Sequence, residues 1–189
     1  MSKKKINYLT SNALKFKIAK NYFNSLKDYE LVQYTFDVPE IQDESCEEVA
    51  RKAAIFAAQT IGEPCIKLDV GFYVISLGGF PGPFIKYIND WLSEEDILAM
   101  VDRKDDRSAY FLDSTAIGYP DGSSKVFSKK YSGTIARSGE YEASGWPANS
   151  IFIPKDYETP LGTMSDSEQE AYWGSGAWKD VISYLEADL

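Results

Sequence analysis

The chain has 189 residues, of which 44% are hydrophobic and 26% charged, with a formal net charge of −9. This size and composition are typical of a globular protein with a normally packed core. The acidic balance argues against broad nucleic-acid or anionic-membrane binding, because both need a basic face. A small anionic ligand held by a few local lysines is still compatible with it. No apolar run approaches the length of a membrane span, and we expect a cytoplasmic protein.

The composition also limits the available chemistry. The sequence contains no histidine, which excludes Ser-His-Asp and Cys-His catalysis and every His-ligated metal site. Cys46 and Cys65 lack metal-ligand spacing, and we expect two reduced thiols, although the sequence also permits a disulfide between them. Any chemistry must therefore come from carboxylates, lysines, hydroxyls, backbone amides and a hard metal ion such as Mg²⁺.

The first half of the chain alternates apolar patterns of strand and helix type. In order, the pattern predicts a strand at 6–10, a helix capped by Ser11 or Asn12, a strand at 29–36, a helix at 46–62 ended by Gly62, a strand pair or a strand with a turn at Gly71 over 64–77, and a helix at 84–102. The regular β-α alternation is typical of an α/β protein.

The second half is richer in β-type patterns. Two antiparallel strands, "RSAYFLDSTAIGYP" and "SKVFSKKYSGTIA", are predicted around the turn "YPDGSS". A short strand at 150–154 and a final helix interrupted near Gly174–Gly176 complete the chain. We predict an α/β fold with a mixed central sheet, flanking helices and a β-rich second lobe. Residues 1–189 would form a single domain, either undivided or divided into two lobes that share a cleft.

Three stretches in the first half could carry chemistry, and each also has an ordinary structural explanation. "LTSNALK" (9–15) could bind phosphate through backbone N–H groups at a helix start, with Lys15 adding charge, or could simply cap that helix. The acidic loop "FDVPEIQDES" (36–45) could help to hold a divalent ion or could be a solvated loop. Asp69 ends a predicted buried strand, where site carboxylates are common, or it could form a turn before Gly71.

Two further stretches also suggest a ligand site. "LGGFPGPFIK" (77–86) contains more glycine and proline than a plain connector needs, and it places Lys86 in the first turn of the next helix. Trp146 could stack on a base or could pack against the protein.

Taken in this order, the stretches resemble the inosine triphosphatase family, also called the non-canonical purine NTP pyrophosphatases. Five motifs of the family have counterparts here. "TGNxxK" corresponds to "TSNALK", "DxPE" to "DVPE", and the lysine before alanine to that of "ARKAA". The acidic pair corresponds to "LDVG", and "LGGxPGPYIKW" to "LGGFPGPFIKY". The similarity covers most of residues 5–155, and the "LGGFPGP" block is its most specific part.

The resemblance implies an enzyme that uses Mg²⁺ to hydrolyse a nucleoside triphosphate, in this family ITP, dITP or XTP, to the monophosphate and pyrophosphate. By analogy, Glu40 and Asp69 would hold the metal ion, and Asp69 would help to activate the water. The residues predicted to bind substrate are Thr10, Asn12, Lys15, Lys52, Lys86 and Trp146. Because family members commonly form homodimers, we expect a homodimer here.

The departures from the family motifs concern the acids and the base-reading residues. Leu68 replaces the first acid of the pair, and Ile18 replaces an acid of the first helix. Ser144 replaces the stacking aromatic, and Pro147 replaces the base-contacting aspartate. Gln169 replaces the C-terminal lysine, and the Ser-His-Arg motif becomes Trp173, Gly174 and Ser175.

Since the triphosphate lysines remain while the base-reading residues are lost, we predict a pyrophosphatase with altered base recognition, with Trp146 or Trp173 as the stacking surface. Two alternatives stay open at this point. Leu68 and Ile18 favour a nucleotide-binding protein without catalysis. The chain could also be an interaction protein that keeps only the fold.

Overall fold

The computed structural model describes residues 3–35, 37–39, 41–137, 146–174 and 176–187. The strands are β1 Lys4–Leu9, β2 Tyr29–Tyr34, β3 Cys65–Val74, β4 Pro81–Gly82, β5 Ser108–Gly118, β6 Ser124–Ile135 and β7 Phe152–Pro154. The α-helices are α1 Ala13–Phe23, α2 Cys46–Ile61, α3 Ile85–Trp91, α4 Glu94–Val101, α5 Pro147–Ile151, α6 Asp166–Trp173 and α7 Trp178–Ala187. Within this part of the chain the strands form one seven-stranded sheet, ordered β2-β1-β3-β5-β6-β7 with β4 paired to β3. The mixed α/β fold with flanking helices is therefore confirmed.

The chain divides into two compact units, and the division falls inside the three longest strands. The first unit takes its described residues from 1–69, 113–129 and 175–189, and the second from 70–112 and 130–174.

In the first unit, β1 pairs in parallel with both of its neighbours, β2 and β3. Ile6 lies opposite Leu31, and Tyr8 lies opposite Ile66. Helix α2 packs so closely on β5 that a Cβ on Gly118 would lie 2.4 Å from the carbonyl carbon of Ala54. This close approach explains a glycine at the end of the buried part of β5.

The apolar core of the first unit surrounds Trp178. Its ring contacts the edges of Tyr8 and Phe23, with centroids 5.2 and 6.2 Å apart. Ile18 and Leu68 are partly buried and pack against the same cluster. Both positions where the resemblance predicts acids are thus filled by residues that add to the core.

The second unit has its own core around three phenylalanines. Phe72 lies 4.5 Å from Phe111 and 5.8 Å from Phe152, measured between ring centroids. Arg107 is buried beside this core, where its guanidinium donates hydrogen bonds to backbone carbonyls, including that of Ile135 at 2.9 Å. A buried charge that donates to several carbonyls is compensated without a carboxylate partner.

Three of the predicted elements were wrong in detail. Gly71 lies inside the continuous strand β3 and not in a turn. A glycine is needed there because a Cβ would be 2.5 Å from Cε2 of Tyr73. The predicted helix 84–102 is two helices, because Leu92 is extended and Ser93 starts α4 with a capping box. The predicted strand 150–154 begins as helix α5, which starts with a proline in its first turn, and only its end is strand β7.

The other elements were predicted correctly. Asn12 caps α1, Gly62 ends α2 with φ +81°, and the final helix is interrupted at Gly174. Both cysteines are buried and neither forms a disulfide, as expected of reduced thiols. Of the helices in the described ranges, none has the length and apolar character needed to cross a membrane.

Candidate active site

The start of α1 is held by two local hydrogen bonds. The Thr10 hydroxyl accepts from the backbone N–H of Asn12 at 3.1 Å, and Oδ1 of Asn12 accepts from the backbone N–H of Lys15 at 3.0 Å. The helix therefore begins directly after the carboxyl end of β1, with its N-terminus accessible to solvent. The positive end of a helix dipole at this edge of the sheet favours an anionic group such as phosphate.

Asp69 lies toward the same edge of the sheet. β1 and β3 are parallel and pair through Tyr8 and Ile66, so Lys67 to Asp69 continue β3 in the direction in which β1 ends. Ligands of α/β sheets bind outside the carboxyl ends of the strands. The prediction that Asp69 ends a strand or forms a turn was wrong, because β3 continues to Val74. Asp69 nevertheless lies beyond the end of the neighbouring strand β1, toward the edge where α1 begins.

Lys15 is the residue of this helix whose pKa is influenced by charged groups on the sheet. Desolvation by the surrounding protein lowers the pKa of its ammonium, while Asp113 and Asp69 raise it and Lys67 lowers it further. The residue as a whole is nevertheless exposed to solvent. Because that exposure limits the effect of desolvation, we take Lys15 to be cationic at neutral pH. It therefore offers a positive charge that the carboxylates of Asp113 and Asp69 favour electrostatically.

Asp113, on β5, is the site residue that the sequence reasoning missed. Burial raises the pKa of its carboxyl to about 6, against the opposing effects of Lys15, a hydrogen bond from Thr115 and Lys129. Oγ1 of Thr115 donates to Oδ1 of Asp113 at 3.4 Å. A Cβ on Gly176 would lie 2.8 Å from its Oδ2. The available signal was an acidic residue in the otherwise uncharged strand "SAYFLDSTAIG".

Tyr8 is, after Lys15, the second titratable group affected by this carboxylate. Burial raises the pKa of its hydroxyl, and Asp113 raises it further. Tyr8 therefore stays neutral at physiological pH. The charged groups that influence one another in this part of the first unit are the carboxylates of Asp69 and Asp113 and the ammonium groups of Lys15, Lys67 and Lys129.

Lys52 lies on α2 and forms an ion pair with Asp43, nine residues before it in the sequence. Its Nζ donates to Oδ2 of Asp43 at 3.3 Å, and both side chains are partly exposed. The backbone N–H of Ser45 and then Lys52 lower the pKa of Asp43 by hydrogen bonding. Glu40, the other predicted metal ligand, lies outside the described residues, and its role stays a prediction.

The remaining predicted residues belong to the second unit. Lys86 is exposed in the first turn of α3, as predicted. Trp146 is 59% exposed and directly precedes α5. Trp173, by contrast, has its ring packed edge-on against Phe111 and Tyr131, with centroids 5.2 and 5.0 Å apart. Of the two tryptophans, Trp146 is the one whose ring is accessible to a base.

The "LGGFPGP" stretch has a backbone that depends on glycine. Gly78, Gly79 and Gly82 all have positive φ, at +67°, +92° and +60°. A Cβ on Gly78 would meet nothing within 4 Å, so glycine is needed there for its backbone conformation.

The donor chemistry of the first unit fits Mg²⁺. Asp69 and Asp113 both act on the same ammonium, and carboxylate oxygens are ligands that Mg²⁺ prefers. Across the described ranges, no group of three His, Cys, Asp or Glu side chains could hold a metal ion. A Mg²⁺ ion here would therefore rely on one or two carboxylates together with phosphate oxygens and water, as is usual at nucleotide sites.

Comparison with known proteins assigns the chain to a family. The sequence model of the Ham1 family matches residues 6–173. The dITP/XTP pyrophosphatase of Thermococcus kodakarensis is 30% identical over 183 residues, 96% of this chain and 97% of the relative. That of Pyrococcus horikoshii is 32% identical over 187 residues, 98% of each chain. The solved structure of the Staphylococcus aureus Ham1 protein is 26% identical, with a TM-score of 0.81 over 98% of this chain and 100% of that one.

Proposed function

The chain belongs to the Ham1 family, and we propose that it hydrolyses a nucleoside triphosphate to the monophosphate and pyrophosphate. It shares the enzyme class of relatives named dITP/XTP pyrophosphatase, which are hydrolases of acid anhydrides. The observation that carries the proposal is the capped N-terminus of α1, which follows the carboxyl end of β1 and carries Lys15, whose ammonium is favoured electrostatically by Asp69 and Asp113. This arrangement combines an anion-binding helix end with carboxylates.

In the proposed reaction, water attacks the α-phosphorus, the bond to the β-phosphate oxygen breaks, and pyrophosphate leaves. The N-terminal N–H groups of α1 and the ammonium of Lys15 would bind phosphate oxygens, with Lys52 and Lys86 as further cations. Asp69 would accept a proton from the attacking water. When bound by Asp69 and Glu40, Mg²⁺ would neutralise charge on the phosphate oxygens.

We also propose that base recognition differs from that implied by the family motifs. Trp146 is exposed and offers a stacking surface, whereas Pro147 stands where the motif has a base-contacting aspartate and can only serve as the first residue of α5. Ser144 and Ser175, which replace two other motif positions, lie outside the described residues. A site that lacks a hydrogen-bonding partner for the base discriminates less strongly between bases. Turnover of more than one base is therefore expected.

One observation favours a second candidate, a nucleotide-binding protein without turnover. Ile18 and Leu68 pack against the apolar core of the first unit, so two carboxylates of the family motif are missing. Such a protein would bind triphosphates through Lys15 and the start of α1 without releasing pyrophosphate.

The test is pyrophosphate release from a panel of canonical, deaminated and modified nucleoside triphosphates, with and without Mg²⁺. The wild-type chain is compared with Asp69→Asn and with Glu186→Gln, which removes the same charge from an exposed position on α7. Release that needs Mg²⁺ and is lost only in Asp69→Asn supports the proposal. Nucleotide binding without release supports the second candidate, and absence of both contradicts both.

The family resemblance further leads us to propose a homodimer in the cytoplasm. Light scattering on the purified chain at several concentrations measures its mass directly. A mass of 21.2 kDa at every concentration, that of one chain, would contradict the dimer.

A further inference from the structure

Helix α5 of the second unit starts at an unusual residue. Its N-cap position is occupied by Trp146, whose side chain is 59% exposed. Ser, Thr, Asp and Asn are preferred at this position, because their side-chain oxygens accept hydrogen bonds from the first free N–H groups of the helix. The indole of Trp146 carries only a donor, and its side chain makes no capping hydrogen bond. An acceptor for the start of α5 must therefore come from elsewhere.

The hydrogen bonds made by the first N–H groups of α5 identify this acceptor. The first helical residue is a proline and has no N–H. The N–H groups of Asn149 and Ser150 both donate to the carbonyl of Trp146, at 2.8 and 3.1 Å. The N–H of the buried Ala148 donates to Oδ1 of Asn89 at 3.1 Å. Asn89, on α3, thus supplies the cap that Trp146 cannot provide.

This single hydrogen bond matters because α5 is short. Ile85 of α3 and Ile151 of α5 are both buried in the apolar core of the second unit, so the two helices pack on the same core. A helix of five residues has little stability of its own, and the contacts at its ends determine where it starts. The bond from Ala148 to Asn89 fixes that start, and with it the backbone of the residue that precedes the helix.

Asn89 also lies on the helix that carries Lys86, the predicted phosphate-binding lysine of this unit. The two residues are three positions apart, so they are neighbours on one surface of α3. Helix α3 therefore connects a cation for the phosphates to the residue with the exposed ring. A fixed connection of this kind sets the distance between a phosphate subsite and a base subsite.

We propose that Asn89 is a positioning residue for base recognition, whose amide oxygen caps α5 and thereby orients the ring of Trp146 for stacking. The inference rests on the proposed function, in which Trp146 stacks on the base. A ring that is already held in place loses less conformational freedom when the nucleotide binds, and binding is stronger for that reason. Because the cap comes from α3, position 146 can carry an aromatic ring in place of a capping side chain.

The experiment compares ITP, which has a base, with inorganic tripolyphosphate, which has none, by calorimetric titration without metal. The base preference is the ratio of the tripolyphosphate dissociation constant to that of ITP. We expect Asn89→Ala to lower the base preference about threefold to tenfold and to leave the affinity for tripolyphosphate nearly unchanged. Asn89→Asp keeps an acceptor oxygen and should retain most of the base preference. In a double-mutant cycle, Asn89→Ala should have little further effect in a Trp146→Ala background.

Ser93→Ala is the matched control for a purely structural effect. Ser93 caps the next helix of the same unit, α4, where its Oγ accepts from the backbone N–H of Asp96 at 3.2 Å. Its loss should lower the thermal unfolding midpoint, as Asn89→Ala does, without changing the base preference. An equal loss of base preference in Ser93→Ala and Asn89→Ala would overturn the proposal. So would an unchanged base preference in Asn89→Ala or in Trp146→Ala, or losses that add fully in the double variant.

These titrations separate the inference from the proposed reaction. Absence of pyrophosphate release from every nucleotide would contradict the proposed hydrolysis alone, because the titrations measure binding and not turnover. Failure of the wild-type chain to bind ITP would overturn the inference as well. Where a nucleotide substrate is found, Asn89→Ala should raise its KM more than it lowers its kcat.

Discussion

Asn12 and the backbone N–H of Lys15 are joined by a hydrogen bond of 3.0 Å, so one side chain fixes the start of the helix that carries the predicted phosphate-binding lysine. Asn12→Ala removes this N-cap. We expect the free energy of unfolding to fall by about 1 kcal/mol, measured by denaturant titration. Triphosphate affinity should fall as well, because the first turn of α1 loses its fixed geometry.

Two cap-competent substitutions separate the roles of Asn12. Asn12→Ser and Asn12→Asp should both restore most of the stability, since Ser and Asp are good N-caps. Only Asn12→Ser should also retain affinity for triphosphate, because an aspartate adds a negative charge where the phosphates are expected to bind. Equal affinity of the two variants would contradict an anion site at this helix end.

Lys52 and Asp43 allow a test of binding that is nearly independent of stability. Their ion pair, at 3.3 Å, is partly exposed, and pairs of this kind contribute less than about 1 kcal/mol to stability. We therefore expect Lys52→Gln to leave the unfolding midpoint nearly unchanged and to weaken triphosphate binding severalfold, in a salt-dependent manner. Lys125→Gln, at an exposed position of β6, is the matched control. An equal effect of both variants would show that Lys52 acts only through net charge.

The sequence was sufficient to predict most elements of the first unit because their signals are local. Asn12 and Gly62 are helix ends that depend on one residue each, and both were placed correctly. The break at Leu92 was missed because an unbroken helical pattern continues across Ser93, whose side chain can either face solvent or cap a new helix.

Asp113 was missed for a different reason. Its neighbours Lys15, Lys129 and Gly176 are distant from it in sequence, and only the folded sheet brings them together. A single carboxylate within an apolar strand shows that some compensating group exists, but not which one. Lys15 and Asp69 were first indicated by local signals, a helix start and the end of an apolar run, and the family motif then assigned their roles. The electrostatic effect of Asp113 on Lys15 has no counterpart in that motif.

Gly176 can be tested for its contact with Asp113. It has φ +52°, and a Cβ there would lie 2.8 Å from Oδ2 of Asp113. Gly62 is the matched control, since it has φ +81° and nothing within 4 Å of the same position. We expect Gly62→Ala to cost roughly 1 kcal/mol of unfolding free energy for backbone strain alone. Gly176→Ala should cost more, because the new Cβ adds a contact with Asp113 Oδ2 to the same kind of backbone strain, and denaturant titration of both variants measures the difference.

The pH dependence of stability provides a test of the environment of Asp113. Burial raises the pKa of this carboxyl to about 6 in the folded chain, above its usual value near 3.9 in an unfolded one. Between these two values the folded state binds more protons than the unfolded state. Asp113 therefore favours folding below about pH 4 relative to neutral pH, and this contribution is lost as the pH rises through 6.

Replacing Asp113 by asparagine removes this titration. At pH 7 and without metal, we expect Asp113→Asn to be more stable than the wild-type chain by about 1 to 2 kcal/mol, after allowance for partial exposure of the carboxylate. The difference should shrink as the pH falls below 6 and should vanish near pH 4. Denaturant titrations at a series of pH values measure it, with Glu186→Gln as the control. Greater stability of Asp113→Asn at pH 7 that disappears near pH 4 would confirm the raised pKa of this carboxyl, whereas a loss of stability at pH 7 would contradict it.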